Sequence, residues 1–146
     1  IGADAVGYRS HLEALSRESG VAKHVFFTGH LPHRAAMVEL AQANVALMCS
    51  RCEGFGRATV EAMLLHKPVV AANTCATLEF IDDGSTGLLY NHGDPAHLAN
   101  KIEKVLSDPR LSDQLGHAAH RAARDRFSAA QYVESVIDVY EEVLST

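Results

Sequence analysis

Residues 49–72, CSRCEGFGRATVEAMLLHKPVVAA, constrain the fold more than any other part of the sequence. The segment begins at the end of a predicted buried strand and passes through a loop that contains two glycines. It continues into a predicted helix at residues 57–66 and a second short apolar run at residues 68–72. A strand, a loop, a helix and a strand in this order are typical of a parallel α/β unit.

The rest of the chain repeats this alternation of short apolar runs and amphipathic segments. Strands are predicted at residues 24–28, 45–48, 68–72 and 87–90, and helices at residues 6–19, 32–41, 57–66, 77–81, 94–106, 109–124 and 129–144. Apolar strands without polar alternation suit a sheet covered on both faces. The pattern predicts an α/β fold with a doubly wound, Rossmann-like parallel sheet, in which ligands bind beyond the carboxyl ends of the strands.

The glycine loop has the composition of a nucleotide-sugar site. Gly54 and Gly56 precede the helix, whose first N–H groups lack partners within the helix and therefore favour an anion. Glu53 and Glu61 frame the loop, and side chains on a helix lean toward its N-terminus, so Glu61 can face the same site. Carboxylates accept hydrogen bonds from hydroxyl groups and repel phosphate. The helix amides can bind a diphosphate, and the two carboxylates beside them can bind sugar hydroxyls. The loop therefore predicts a sugar-nucleotide ligand.

Five segments, in order along the chain, carry a family resemblance: IGAD, VFFTGHLP, EGFGRATVEAM, PVV and LEFIDDGSTGLLY. Together they resemble the C-terminal, donor-binding domain of the group 1 glycosyltransferases, which are retaining enzymes of the GT-B fold. Taken alone, Glu53 and Glu61 are also compatible with two solvated surface acids, but the combination of segments favours the site.

The resemblance implies roles for individual residues. Glu53 corresponds to the catalytic acid that bonds hydroxyls of the donor sugar, and Glu61 to the acid that holds the ribose diol. The predicted donor-binding residues are Glu53, Gly54, Phe55, Gly56, Arg57, Thr59, Glu61, His30, Leu31, Cys75 and Ala76.

Some of these assignments keep an alternative. Arg57 suits the diphosphate, but an arginine early in an exposed helix more often faces solvent. Thr59 can reach the diphosphate or simply pack. His30 and Leu31 match a loop whose backbone edges the nucleobase, and His30 is equally well explained as an exposed loop residue.

The sequence departs from the family pattern at two places. Cys75 and Ala76 stand where paired glycines are common, so their Cβ atoms narrow the space near the donor, whereas Glu79 matches the family and is expected to orient that loop. His66 replaces the glycine that usually ends the central helix, so a mildly strained left-handed cap is expected there.

The remaining cysteines and histidines give weaker signals. Cys49 and Cys52 have CxxC spacing, but only Cys75 remains as a further cysteine, so buried or neutral thiols are favoured over a disulfide or a metal site. His117 and His120 share a helical face and are interpreted as polar surface residues. No metal ion and no cofactor are predicted; the nucleoside diphosphate sugar is a substrate.

Composition limits the class of partner. The 146 residues carry a net charge of −5 without a basic stretch, which argues against nucleic acid. No apolar run is long enough for a transmembrane segment and no signal peptide opens the sequence, so a cytoplasmic location is expected, with membrane association of the full-length enzyme left open. A single domain is predicted over residues 1–146, with C-terminal helices at about 94–144.

The prediction is therefore the donor-binding part of a retaining glycosyltransferase, which uses a UDP-sugar or GDP-sugar in glycan or polysaccharide synthesis. A glycan or lipid acceptor would be bound by an N-terminal domain outside this sequence. Ile1 to Asp4 resemble the turn after the domain's second strand, so the first strand and helix are expected to be missing, the chain to be inactive alone, and an oligomer or exchanged segment to cover the gap. The alternatives are a non-catalytic nucleotide-binding or oligomerisation module, or another GT-B enzyme such as a sugar-nucleotide epimerase or a phosphorylase.

Overall fold

The computed structural model describes residues 7–145, in two compact units within residues 7–39 and 40–145. The single domain predicted from the sequence stays a prediction. Within the described residues the helices are α1 (Tyr8–Glu18), α2 (His33–Gln42), α3 (Arg57–Leu64), α4 (Thr77–Phe80), α5 (Pro95–Ser107), α6 (Pro109–Phe127) and α7 (Ala129–Leu144), with a 3-10 helix at Ala22–His24. The strands are β1 (Ala46–Met48), β2 (Val69–Ala72) and β3 (Leu88–Tyr90).

The three strands form a parallel sheet in the order β1-β2-β3. Ala46 lies opposite Val69, and Val70 lies opposite Leu88. Because all three strands run in one direction, their carboxyl ends meet at one edge of the sheet, and the loops that follow them are neighbours. The predicted α/β class with a parallel sheet is confirmed.

The central strand β2 is buried on both faces and divides the core in two. Val69 and Ala71 pack on one face, with buried residues of β1, α3 and α6. Val70 and Ala72 pack on the other face, with buried residues of β3, α5 and α6. The uninterrupted apolar composition of β2 follows from this, since successive side chains of a strand point to opposite faces.

Helix α6 passes very close to the end of α3. Gly116 is buried in the middle of α6, and a Cβ atom added there would overlap the main-chain carbonyl group of His66. Ala119 and Ala123, on the same helix, are also fully buried. Small residues therefore let the backbones of α6 and the turn after α3 come into contact.

The turn after α3 is a left-handed cap built on a histidine. His66 has φ 56°, its N–H donates to the Met63 carbonyl oxygen (3.0 Å), and the Lys67 N–H donates to the Ala62 carbonyl oxygen (3.0 Å). This is the hydrogen-bond pattern of a Schellman motif, which glycine usually supplies. The expected left-handed conformation at His66 is confirmed, and it explains why α3 ends at Leu64 rather than at residue 66.

Two histidines of α6 support this cap. The His120 ring stacks on the His66 ring at a centroid distance of 3.7 Å, and the His117 ring meets it edge-on at 5.1 Å. His120 Nδ1 lies 2.8 Å from the carbonyl oxygen of Leu64, the last residue of α3. His117 is exposed and His120 partly buried, so both lie at the surface, and their rings also contact the turn after α3.

The C-terminal helices begin at the caps that the sequence indicates. Asp94 accepts a hydrogen bond from the His97 N–H (2.9 Å), and Asp108 accepts from Arg110 and Leu111. Proline follows each aspartate at the first helical position, where it lacks the N–H group that would be unpaired. Helix α7 leaves large apolar side chains such as Tyr132 (71% exposed) on its surface.

The first unit contains α1, the 3-10 helix and a segment without regular secondary structure at residues 25–29. Arg9 pairs with Glu13 (2.8 Å) and lies over the Phe27 ring (5.6 Å from the centroid). The strand predicted at residues 24–28 is wrong: the first of these residues ends the 3-10 helix, and the rest pair with no neighbouring strand among residues 7–145. The expectation for Ile1 to Asp4 lies outside the described residues.

Candidate functional site

The three loops that follow the strands meet at the carboxyl edge of the sheet. The Thr74 hydroxyl donates to the Ser50 carbonyl oxygen (3.2 Å), which joins the loop after β2 to the loop after β1. The Asn73 side chain donates to Asn91 Oδ1 (3.2 Å) and accepts from the His92 N–H (3.2 Å), which joins it to the loop after β3. The predicted site loops therefore lie at the edge where ligands of such sheets bind.

The glycine loop is organised around Gly56. This residue is buried, has φ 75° and precedes the first residue of α3, so a side chain there would be strained. A Cβ atom at Gly56 would lie 3.4 Å from the Thr59 hydroxyl oxygen and 3.8 Å from Glu53 Cβ, so Glu53 and α3 converge on this point. Gly54 is exposed, and a Cβ atom added there would point into open space.

The Gly56 carbonyl group accepts from the third and fourth amides of α3. The N–H groups of Thr59 and Val60 donate to it at 2.9 and 3.4 Å. The Thr59 side chain is fully buried, and its contact with the diphosphate stays a prediction. The first two amides, those of Arg57 and Ala58, precede the internal hydrogen bonds of the helix and are the ones that remain for an anion.

The two acids lie at different depths. Glu53 is exposed, and its carboxylate accepts a hydrogen bond of 2.5 Å from the Ser50 hydroxyl. Glu61 is partly buried in the second turn of α3. Arg57 is exposed at the start of the same helix. The arrangement offers an exposed carboxylate before the helix, a partly buried one within it, and a cationic side chain at its positive end.

An aromatic cluster holds the glycine loop against two helices. The Phe55 ring meets Phe80 of α4 and Phe127 of α6 edge-on, at centroid distances of 5.4 and 5.6 Å. Phe80 and Phe127 meet in the same way at 5.2 Å. The Arg126 guanidinium lies over both of these rings and donates to the Glu79 carbonyl oxygen. The Phe55 ring therefore helps to fix the loop, and its contact with the donor stays a prediction.

The loop after β2 is held by a buried threonine. Thr77 Oγ1 lies 2.5 Å from the carbonyl oxygens of Ala72 and Thr74 and accepts from the Thr74 N–H (3.2 Å). Ala76 is buried and Cys75 is exposed, with φ 44°. The backbone of Glu79 contributes two hydrogen bonds here: its N–H donates to the Ala76 carbonyl oxygen (3.1 Å), and its carbonyl oxygen accepts from Arg126.

The expectation of buried or neutral thiols is wrong for this region. Cys52 and Cys75 form a disulfide that joins the glycine loop to the loop after β2, and both residues are exposed. Cys49 is a free, exposed cysteine. The physical reason is that the two loops leave neighbouring parallel strands at the same edge, which brings residues distant in sequence into contact.

Tyr90 is the last residue of β3 and lies at the same carboxyl edge of the sheet. It is buried at the end of β3, and burial, together with its hydrogen bond to the Cys49 side chain, raises the pKa of Tyr90 to about 12. The phenol therefore stays neutral and serves as a hydrogen-bonding partner for the first residue after β1.

His30 and Leu31 belong to the first unit, in the loop before α2. His30 is exposed and Leu31 is partly buried. Their contribution to the site stays a prediction.

Sequence reasoning missed the residues that hold the loops in place. These are Ser50, Cys52, Thr74, Thr77, Phe80, Arg126 and Phe127. Thr77 and the Ser50 hydroxyl act within their own loops. The others act through contacts between segments far apart in sequence, and a short polar or aromatic residue gives no local signal of such a contact.

Comparisons with known proteins agree with this architecture. The profile of the family Glycosyl transferases group 1 matches residues 2–122. The chain belongs to this family. A D-inositol 3-phosphate glycosyltransferase of Acidothermus cellulolyticus is 34% identical over 136 residues, which are 92% of this chain and 30% of the relative.

Two solved structures show the same fold. Sucrose-phosphate synthase from Thermosynechococcus elongatus superposes with a TM-score of 0.87 at 27% identity, over 99% of this chain and 37% of that protein. Alr3699/HepE of Anabaena, solved with UDP and glucose, superposes with a TM-score of 0.85 at 26% identity, over 97% of this chain and 39% of that one. This chain thus spans about a third of the length of these three proteins.

Residues 7–145 lack two features, a metal-binding cluster and a membrane-spanning helix. No group of three or more histidine, cysteine, aspartate or glutamate residues in that range is arranged to hold a metal ion. None of the helices described there combines the length and apolar character that crossing a membrane requires.

Proposed function

We propose that this chain is the donor-binding part of a retaining glycosyltransferase, which moves a sugar from a nucleoside diphosphate sugar to a glycan or lipid acceptor. The observation that carries the proposal is the start of α3 at the carboxyl edge of the sheet, where Gly56 adopts a left-handed conformation between Glu53 and Glu61. UDP-sugar is the donor class favoured, because a neighbour of the same fold binds UDP and glucose.

The diphosphate is assigned to the N-terminus of α3. The amides of Arg57 and Ala58 precede the internal hydrogen bonds of the helix, and the helix dipole adds partial positive charge at this end. Arg57 is exposed at the same place and supplies a full positive charge. These groups would stabilise the negative charge that develops on the departing diphosphate, so we propose that transfer requires no bound metal.

The hydroxyl groups of the donor are assigned to the two acids. Glu61, in the second turn of α3, is proposed to hold the ribose diol, and Glu53, held by Ser50 in the loop before the helix, is proposed to bond the transferred sugar. Each carboxylate accepts from two vicinal hydroxyl groups without needing a proton of its own. Retention of the anomeric configuration fits a front-face displacement in which the leaving phosphate helps to take the acceptor's proton.

The test compares single substitutions of the two acids in the intact protein that carries this sequence. We expect Glu61→Ala to weaken the binding of UDP and of UDP-glucose to the same extent. Glu53→Ala is expected to weaken the binding of UDP-glucose and to leave the affinity for UDP unchanged. Loss of a hydrogen bond to a charged acceptor costs about 1.5–3 kcal/mol, which is roughly ten-fold or more in affinity. Titration calorimetry with both ligands measures the two effects, and Glu103→Ala, an exposed acid of α5, is the matched control.

The same experiment separates an enzyme from a module that binds only nucleotides. Such a module predicts that UDP binds as tightly as UDP-glucose and that Glu53→Ala changes neither affinity. Equal, small effects of both substitutions on both ligands contradict the assignment of the site.

A further inference from the structure

The two loops that flank the proposed sugar position are joined by a covalent bond. Cys52 immediately precedes Glu53, and Cys75 lies in the loop after β2. Their Cα atoms are 5.3 Å apart in the disulfide, and both residues are exposed, so small thiols and disulfides can reach them. The bond therefore acts directly on the segment that carries the proposed sugar-binding acid.

The sheet brings these cysteines together whether or not they are bonded. The pairing of β1 with β2 places Met48 opposite Ala71, and the same register offset separates Cys52 from Cys75, which are 23 residues apart. Both cysteines thus stand at the same distance beyond a paired position in two parallel strands. Because β2 is fully buried, this register stays fixed when the bond is broken, and the two thiols remain neighbours that can pair again.

We propose that Cys52 and Cys75 form a reversible thiol–disulfide switch that controls recognition of the donor sugar, an inference that rests on the proposed function of this site. In the oxidising direction the two thiols lose two protons and two electrons and form one S–S bond. A small-molecule disulfide accepts the electrons and leaves as two thiols. In the reducing direction a dithiol reverses the exchange and is itself oxidised to a cyclic disulfide.

In the disulfide form, Cys75 has a left-handed backbone conformation with φ 44°. Cys75 and His66 are the non-glycine residues with positive φ among residues 7–145, and such a conformation persists only where surrounding contacts impose it. After reduction, Glu53 is held by the Ser50 hydroxyl, and the hydrogen bond from Thr74 to the Ser50 carbonyl group still joins the two loops. The Phe55 ring still packs on Phe80 and Phe127, but this contact is made two residues away from Glu53. Glu53 and the loop after β2 therefore gain conformational freedom, which binding must remove again.

The residues proposed to contact the nucleotide are held in place by the core and not by the Cys52–Cys75 disulfide. Helix α3 is anchored in the core by Thr59, Val60, Ala62 and Met63, all of them buried. Its N-terminal amides and Glu61 therefore keep their positions in either redox state. Reduction is expected to weaken UDP-glucose binding roughly two- to ten-fold, the change produced by freeing one side chain that binding must immobilise, and to change UDP binding by less than two-fold.

The experiment measures UDP and UDP-glucose affinities of the intact protein in two redox states. One sample is equilibrated with oxidised glutathione and the other with dithiothreitol. Alkylation followed by peptide mass mapping verifies that the Cys52 and Cys75 peptides are linked in the first sample and alkylated in the second. Cys52→Ser is expected to bind UDP-glucose with the weaker affinity in both states. Cys49→Ser, which changes a nearby exposed cysteine outside the bond, is expected to keep the full redox response.

Each result has a defined meaning. A UDP-glucose affinity that differs between the states, with a smaller change for UDP and no change in Cys52→Ser, supports the switch. Equal UDP-glucose affinities in the two verified states, or a response that disappears in Cys49→Ser, overturn it and leave the proposed function standing. Absence of UDP and UDP-glucose binding in both states overturns the proposed function, and the switch with it.

Discussion

Replacing Gly116 by alanine tests the contact between α6 and the turn after α3. In the interior of a helix this change normally stabilises a protein by about 1 kcal/mol, because glycine is the poorer helix former. Here the new Cβ atom would overlap the His66 carbonyl group, and neither backbone can rotate away as a side chain could. Overpacking of this kind costs about 3 kcal/mol at the upper end of its usual range. The steric cost exceeds the gain, and we expect a net loss of about 2 kcal/mol.

Urea unfolding and thermal melting measure this effect. For a chain of this length, a loss of that size lowers the melting temperature by roughly 4–8 °C. Gln114→Ala, at an exposed position of the same helix, is the matched control and is expected to change stability by less than about 0.5 kcal/mol. A Gly116→Ala protein that is as stable as the wild type, or more stable, would refute the close contact between α6 and the His66 turn.

Three further predictions follow from the described contacts. Desolvation, and to a smaller extent the charges of His120, His117 and Lys67, lowers the pKa of His66 below 6.5. The unfolded chain therefore binds more protons than the folded chain near that pH. The contribution of His66 to the free energy of unfolding is expected to be complete above about pH 6.5 and to fall as the pH drops below it. Urea midpoints between pH 5 and pH 8 measure this fall, and His66→Asn, which tolerates the left-handed backbone, should flatten it. Phe127→Ala removes one ring of the aromatic cluster, and we expect it to lower the free energy of unfolding by about 2–4 kcal/mol and to weaken UDP-glucose binding. Tyr132→Ala, on the exposed face of α7, should change neither the urea midpoint nor the UDP-glucose affinity by much. Glycosyl transfer by the intact protein is expected to continue in the presence of a chelator, and an absolute requirement for magnesium or manganese would contradict the assignment of the leaving-group charge to protein groups.

Local patterns were sufficient to predict most of the fold. Asp94 and Asp108, each followed by proline, mark helix starts because their side chains satisfy amides of the first turn, and the structure begins α5 and α6 there. The apolar run of β2 correctly indicates a strand covered on both faces. The predicted strand at residues 24–28 failed because a strand requires a neighbour, and its composition cannot show whether one is present.

The candidate site could be predicted only in its local part. Gly56, Glu53 and the start of α3 are adjacent in sequence, so their spacing alone places them together. The bond between Cys52 and Cys75 depends instead on the register of two strands, and a shift of that register would separate the cysteines. The equal offsets of the cysteines from Met48 and Ala71 are a usable signal, but only after the strand pairing is known.

The position of Phe127 has a consequence for where this domain can be cut. The match to the family ends at residue 122, whereas α6 continues to Phe127, and the ring at its end supports the glycine loop. A polypeptide ended where the family match ends would retain Glu53, Gly56 and Glu61 and still lose one of the two rings that pack on Phe55. The family match and the segment that supports the glycine loop therefore end at different residues, and the shortest piece that keeps the loop supported includes the last turn of α6.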